Sequence, residues 1–599
     1  MNNRFRLSQG IVAAVLAGLT ALTAVARNSH SAVSSVPAVS KRAAGPVQVM
    51  PKALPAAATG REAAPASTSP DILQYISSAW ETLTRSMTQC KSLSDQRTQK
   101  KPVLYLAADV QEPQPLRALQ QRCSVQVAHL PIVISKPALL SPSKIDPPGL
   151  LYLPHPYVVP GGMFNEMYGW DSYFILRGLL EAGRIDLAKG MTENFFYEIE
   201  HYGMVLNANR TYFLSRSQPP FLTSMVLAIY DAEKQQGKDD KDFLAEAYPY
   251  AVKTYDLWTH APHLAGDTGL SRYYDFEALP APEVAEDGYR YYRDAAEYFR
   301  EHPQLAQREL IIAKTEPPAS HWIQPIVTWQ ICSDGTSGSE PAHCDIVEQG
   351  SLTAHYYRGD RSMRESGFDV SFRFGPLSAD TEDYADLGLN CLLYKTEMDL
   401  ARISEILGHA PDAQPWRKRA QARHKLVDKY FWNAGRGLYF DYNFKTRTQS
   451  SYLYATTFYP LWVGLATPEQ AQAVERNLST FDLAGGIVMS REETSGQWDY
   501  PYGWAPLQLI AVEGLRRYGF NTDAERVSTR FISMVTGNFR RDGTIREKYN
   551  VVTRSDETKV RVGYSQNMVG FGWTNGVFLT LLHELPKEAA AKLRLEAQR

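Results

Sequence analysis

The chain has 599 residues, a net charge of −2 and ordinary hydrophobic content, which describes a globular protein with a large core. Its charges are interspersed and its pI is about 6.7, so neither nucleic acid nor another partner chosen by bulk electrostatics is expected. Thirty-four tyrosines and eleven tryptophans are the compositional outlier, and amphipathic rings that stack on apolar faces while offering a donor suit sugar binding.

In chain order, "MNNRFR" supplies a basic start, "IVAAVLAGLTALTAVA" a short apolar stretch, and Ala24-Val25-Ala26 a small-residue cleavage pattern. Residues 1–26 therefore read as a signal peptide, and the product is expected to be periplasmic or secreted, free of the membrane after cleavage. Residues 27–68, rich in Ala, Pro, Ser and Val, read as a disordered tether. From "SPDILQYISSAWETL" to residue 585 no comparable linker occurs, so a single domain is expected over 69–585, with 586–599 as a tail.

The domain reads as all-α. Leu389, Leu393, Leu400, Ile403 and Leu407 form one helical stripe stopped by Gly408, and a second helix follows "APDAQP" with Trp416, Ala420, Leu426 and Phe431. Trp504, Leu507, Ala511, Leu515 and Tyr518 form another stripe, stopped by Gly519, with "DAERVSTRFISMV" as its neighbour. Strand-like alternation is confined to short pieces such as "GLYFDYN". Helix, short break, helix recurs, which fits a toroid of antiparallel hairpins whose wide end collects the irregular connections.

Five of those connections mix Gly, aromatic, acidic and Arg residues: 160–174, 206–220, 361–375, 493–506 and 541–575. In "RESGFDVSFRF" (364–374), phenylalanines surround Asp369, and a carboxyl group in such a pocket stays protonated near neutral pH, as a general acid must. An Asp capping a helix or pairing with Arg373 is the plainer reading of the same window. Hydrolysing a glycosidic bond with inversion needs a second carboxylate, about 6.5–9.5 Å from the first. Asp171, Glu493, Asp499 and Glu547 are the candidates. Asp171 and Asp499 each follow a Trp, an arrangement suited to gripping a sugar, while Glu547 stands between Arg546 and Lys548, whose charges would keep it ionised.

"PGGMFNEMYGWDSYF" (160–174) and "QWDYPYGWAP" (497–506) resemble the two signature stretches of the inverting trehalase family of glycoside hydrolases. So do "NANRTYFLSRSQPP" (207–220), "ESGFDVSFRF" (365–374) and "EKYN" through "GFGWTNG" (547–576), in the family's order across 150–585. The resemblance implies an (α/α)6 barrel, Asp369 as general acid and Glu547 as general base. It further implies sugar contacts from Phe164, Trp170, Asp171, Asn207, Arg216, Gln218, Glu283, Arg373, Gln497, Trp498 and Asp499, with Trp573 near the site.

The sequence also departs from that pattern. Met163 and Ala281 stand where the family has arginines, "VRVGYSQNMVGFGW" (560–573) replaces a Gly-rich lid ending in Gly-Glu-Tyr, and about 303–358 is additional. The expected activity is hydrolysis of α,α-trehalose. A related inverting hydrolase of another α-glucoside, such as glucosylglycerate or a different disaccharide, is the alternative, and a non-catalytic sugar-binding protein the second. No metal or organic cofactor is expected: the thirteen histidines do not cluster and two carboxyl groups with water suffice. A small-molecule sugar is the expected partner and the chain is read as a monomer. Of the five cysteines, Cys332 and Cys344 are the favoured disulfide, Cys90 and Cys123 a second, and Cys391 a buried thiol.

Overall fold

The computed structural model describes residues 71–93, 101–285, 288–313, 322–332, 344–564 and 566–598. The segments read as signal peptide and tether, 1–26 and 27–68, lie outside the described residues. The chain divides at Ser67/Thr68, and the second unit carries the fold.

The fold is an (α/α)6 barrel. After α1 (Ile72–Leu83), capped by Asp71 accepting from the Leu73 amide at 3.2 Å, come the hairpins α2 (Asp171–Glu181)/α3 (Ile185–Tyr202) and α4 (Leu222–Gln235)/α5 (Lys241–Thr259). A further helix, α6 (Ala354–Glu365), precedes the hairpin α7 (Leu387–Ile406)/α8 (Ala410–Tyr430). The last three hairpins are α9 (Tyr459–Trp462)/α10 (Pro468–Arg476), α11 (Ala505–Arg517)/α12 (Asn521–Asp542) and α13 (Gly572–Glu584)/α14 (Lys587–Gln598). Among the described residues, the first helices of the six hairpins, α2, α4, α7, α9, α11 and α13, touch in sequence and close into a ring. Closure rests on small residues at the seam: a Cβ on Gly178 of α2 would lie 2.3 Å from the Gly576 Cα of α13. No larger residue allows the first and last inner helices to approach this closely.

The helical stripes read from the sequence face this core, with Leu389, Leu393, Leu400 and Ile403 buried in α7 and Leu507, Ala511 and Leu515 in α11. Two boundaries differ from the sequence reading. α8 begins inside "APDAQP", at Ala410, because Pro411 sits in the first turn, where its missing N–H costs nothing. The expected C-terminal tail is α14, whose Ala590 and Leu593 are buried against the core.

Several small sheets decorate the barrel, and two of the three-stranded ones lie in its additions. In the first, β1 (Val103–Leu106) lies between β2 (Gln126–His129) and β3 (Leu150–Leu151), parallel to both. Beside it Cys90 and Cys123 form a disulfide. The second occupies the additional stretch: β4 (Leu310–Ala313), β5 (Val327–Cys332) and β6 (Cys344–Leu352), antiparallel with β6 central. Its register sets Cys332 opposite Cys344, while the loop 333–343 and these two side chains lie outside the described residues. Cys391 is a buried free thiol.

The additional stretch is tied to the barrel by charge. His355, in the first turn of α6, lies 3.0 Å from Glu382 Oε1 and 3.2 Å from Asp380 Oδ1, and Arg308 reaches Asp383 at 2.8 Å. Burial alone would lower the His355 pKa, but Asp380 and Glu382 outweigh it and push it up to about 9.

Candidate active site

The five unusual connections each run into the N-terminus of an inner helix: α2, α4, α7, α11 and α13. A closed ring of hairpins places those N-termini at one end, so segments hundreds of residues apart meet there.

The floor is aromatic. Trp170, immediately before α2, packs edge-on against Phe368 at 5.4 Å and Trp573 at 5.7 Å and lies 5.8 Å from Trp498, which stacks on Trp504 at 3.9 Å. All four indoles are buried. Gly367 is required here, since its φ is +79° and a Cβ would sit 2.7 Å from the Trp170 indole.

Asp369 follows this glycine in the loop after α6, with its side chain 32% exposed, 3.8 Å from Arg364 Nη1. Burial raises its pKa; Arg364 and Arg216 pull it back, and it settles at about 7. Its loop is clamped to the 494–499 segment. The Gln497 amide donates to the Asp369 carbonyl, the Trp498 N–H to the Val370 carbonyl at 3.1 Å, and the Phe372 N–H to Asp499 Oδ2 at 2.9 Å.

Glu547 precedes β8 (Lys548–Asn550), which pairs antiparallel with β7 (Tyr502–Trp504) and sets Lys548 opposite Trp504. Its carboxylate accepts from Lys548 Nζ at 3.1 Å on Oε2 and from the Tyr564 hydroxyl on Oε1. Its carbonyl accepts from Trp573 Nε1 at 3.3 Å and Thr574 Oγ1 at 3.4 Å. Arg546 is not part of this arrangement: its guanidinium turns away to Asp542 and Asp556, so only one of the two flanking cations reaches Glu547. Asp171, in the first turn of α2, has its pKa pushed well up, first by burial and further by Glu547 and Asp369. Three carboxyl groups from three connections thus share one electrostatic neighbourhood.

A second wall holds Arg216, whose guanidinium contacts Glu283. Burial would raise Glu283, but Arg216, Arg364 and Arg361 outweigh it and hold its carboxyl down at about 2. Arg216 Nη1 and Glu283 Oε2 are buried with no hydrogen-bond partner among the described residues. Asn207 Nδ2 lies 3.4 Å from the Ser217 and Arg364 carbonyls, Gln218 Oε1 accepts from the Trp170 N–H at 2.9 Å, and Phe164 is half-buried against Tyr168 at 5.6 Å.

Three residues expected to contact sugar also hold the frame of the site together. Arg373 is bound bidentately by Asp441 at 2.6 and 2.7 Å and by Asp386 at 3.0 Å. Gln497 spans the Asp369 carbonyl and Lys548, and Asp499 holds Phe372 and Thr494. All three are buried, and Arg373 Nη1 and Asp499 Oδ1 have no hydrogen-bond partner among the described residues.

Sequence reasoning gave no role to Arg364, although it opens the stretch containing Asp369, or to Tyr564, inside the altered lid. Their partners lie across space, and only the charge and the lid position hinted at them.

The sequence profile described as "Trehalase" matches residues 52–324 and 336–586. The chain belongs to the trehalase family. It is 38% identical over 463 residues to the cytosolic neutral trehalase of Neurospora crassa, covering 71% of this chain and 57% of that one. It is 35% identical over 548 residues to the cytosolic neutral trehalase of Saccharomyces cerevisiae, covering 82% of this chain and 68% of that one. The chain therefore spans little more than half the length of the first of these trehalases. The solved structure of neutral trehalase Nth1 from Saccharomyces cerevisiae superposes with a TM-score of 0.68 at 31% identity, over 88% of this chain and 96% of that one. Both of these curated relatives are named cytosolic, a finding against the expectation of a periplasmic or secreted product. Among the described residues no helix is long and apolar enough to cross a membrane.

Proposed function

We propose that the protein hydrolyses α,α-trehalose to two glucose molecules with inversion, Asp369 being the general acid and Glu547 the general base. The observation that carries this reading is the unlike treatment of two carboxyl groups at one barrel end. Asp369 is pushed up to about 7 and so is protonated in a large share of molecules near neutral pH, whereas Glu547 is held by an ammonium and a phenol.

A water accepted by Glu547 attacks the anomeric carbon, and its proton passes to the carboxylate as the C–O bond breaks. Asp369 delivers its proton to the departing glycosidic oxygen. The negative charge thus moves from Glu547 to Asp369, and Arg364, 3.8 Å from Asp369, is placed to stabilise it there. The unpartnered Arg216 Nη1 and Glu283 Oε2 are a donor and an acceptor suited to sugar hydroxyls, and the tryptophans supply ring faces. Phe164, Asp171, Asn207 and Gln218 complete the proposed contacts. Arg364 also gives the pocket a guanidinium beside Glu283, although Ala281 cannot supply one.

The test is a proton NMR time course with α,α-trehalose, run on the protein and on Asp369→Asn and Glu547→Gln. We expect one β- and one α-glucose per turnover before mutarotation, and near-complete loss of turnover in each folded variant. Substantial activity in either variant removes that residue from its role. Persistence of trehalose with the unaltered protein defeats the reading.

A further inference from the structure

Lys548 bonds the Glu547 carboxylate directly and is linked through Gln497 to the Asp369 backbone, and neither reaction step uses it. Its side chain is fully buried, and Nζ donates to three oxygens: Glu547 Oε2 at 3.1 Å, Gln497 Oε1 at 3.1 Å and the Gln566 carbonyl at 3.4 Å. Aromatic rings close the remaining approach, Tyr564 at 4.0 Å and Trp504 at 5.2 Å. The other end of the Gln497 amide donates to the Asp369 carbonyl. An unbroken chain of contacts therefore runs from the acid's backbone through Gln497 and Lys548 to the base's carboxylate.

We propose that Gln497 and Lys548 are a positioning pair, with Gln497 bridging the acid loop to Lys548 and thereby setting the acid–base span, and the Lys548 ammonium fixing the Glu547 carboxylate in place. The inference rests on the assignment of Asp369 and Glu547 above. Its physical basis is the geometry of inversion, in which the distance between the two carboxyl groups must admit one water. Asp369 and Glu547 lie on connections 178 residues apart in sequence, a separation read from their residue numbers, and a buried amide and ammonium convert that separation into a fixed spacing. A buried ammonium costs desolvation unless it is paired, and here a carboxylate, an amide oxygen and a carbonyl all receive it.

The groups facing this centre are few. Lys548 is faced by Glu547 on its own strand, by Tyr564 from the lid and, at longer range, by Asp369. Glu547 is faced by Lys548, by Tyr564 and, at longer range, by Asp171. Burial lowers the Lys548 pKa and Glu547 and Asp369 oppose that, as expected of a cation shared by the pair.

Two variants separate the spacing from the charge. Lys548→Met keeps length and removes charge; Gln497→Met removes the bridging amide and keeps every charge. Losing the ammonium makes nearby carboxyl groups harder to ionise, so in Lys548→Met the limb of kcat/KM that rises with pH moves upward by about one unit, with kcat down about 100-fold. In Gln497→Met that limb stays in place while kcat falls roughly 10-fold or more. Far-UV circular dichroism and thermal melting accompany each variant, and Gln497→Met decides the spacing even where Lys548→Met fails to fold. An unmoved limb in folded Lys548→Met, or wild-type kcat in Gln497→Met, overturns the proposal. Activity surviving in Asp369→Asn or Glu547→Gln would instead strike at the assignment beneath it.

Discussion

Removing the charge of Arg364 should move the alkaline limb of the pH–rate profile. Arg364 Nη1 lies 3.8 Å from Asp369 Oδ2, where Coulomb's law gives about 1 kcal/mol in water and about 4 kcal/mol at an effective dielectric of 20. The Asp369 side chain is 32% exposed, so the interaction falls between these limits. At about 1.4 kcal/mol per pH unit this is a shift of roughly 1–3 units. The sign follows from charge: without the guanidinium the Asp369 anion is less favoured, the acid keeps its proton longer, and the limb moves up from about 7. Arg364 also holds buried Asp360 at 3.1 and 3.2 Å, so Arg364→Met is made together with Asp360→Asn to avoid leaving an unpaired anion. Initial rates of glucose release across the neutral and alkaline range give kcat/KM, which reports the free enzyme. A limb that stays near its wild-type position, or moves down, refutes the electrostatic account of Asp369.

Gly367→Ala places a Cβ 2.7 Å from the Trp170 indole at a φ of +79°. Thermal melting should show a loss of about 1–3 kcal/mol, and kcat should fall because Asp369 is two residues away. Arg373→Met strands buried Asp441 and Asp386 without their cation; denaturant unfolding should register about 3–5 kcal/mol. His355, raised from 6.5 to about 9, stabilises the fold fully below pH 6.5. On the order of 3 kcal/mol should be lost as pH rises through about 9. Comparing unfolding at the two pH values in the wild type and His355→Gln checks this, since the variant should lack that dependence.

The barrel was legible because helix periodicity is local. The stripes in α7 and α11 and the glycines that stop them can each be counted within one short window. The setting alone left Asp369 open to a cap or a pair with Arg373 and Glu547 one of four carboxylates; the family resemblance singled out both. What the sequence could not convey is pairing at a distance. The Gln497 to Lys548 bond joins residues 51 apart, and the Gln497 to Asp369 contact joins residues 128 apart. The resemblance placed Arg373 at the sugar, and the string itself does not show what else its guanidinium meets. Asp441, 68 positions on, is the partner that the string conceals. Arg546 and Lys548 were equivalent flanks on paper, yet one turns to Asp556 and the other to Glu547. The periplasmic or secreted destination, inferred from the basic start, apolar stretch and cleavage pattern of residues 1–26, stands against the cytosolic naming of the relatives.

Because Arg373, Gln497 and Asp499 brace the acid loop against the frame, its geometry does not depend on whatever lines the mouth of the barrel. Frame and rim are therefore free to change at different rates over evolutionary time. Exchanges such as those at Met163 and Ala281 leave these braces intact, so a lineage could retune which sugar it admits there, whereas the 560–570 lid carries Tyr564 and Gln566, which hold Glu547 and Lys548, and changes with the cutting machinery. The same division recommends where to engineer: new specificities belong at the rim, and the braces are best left alone.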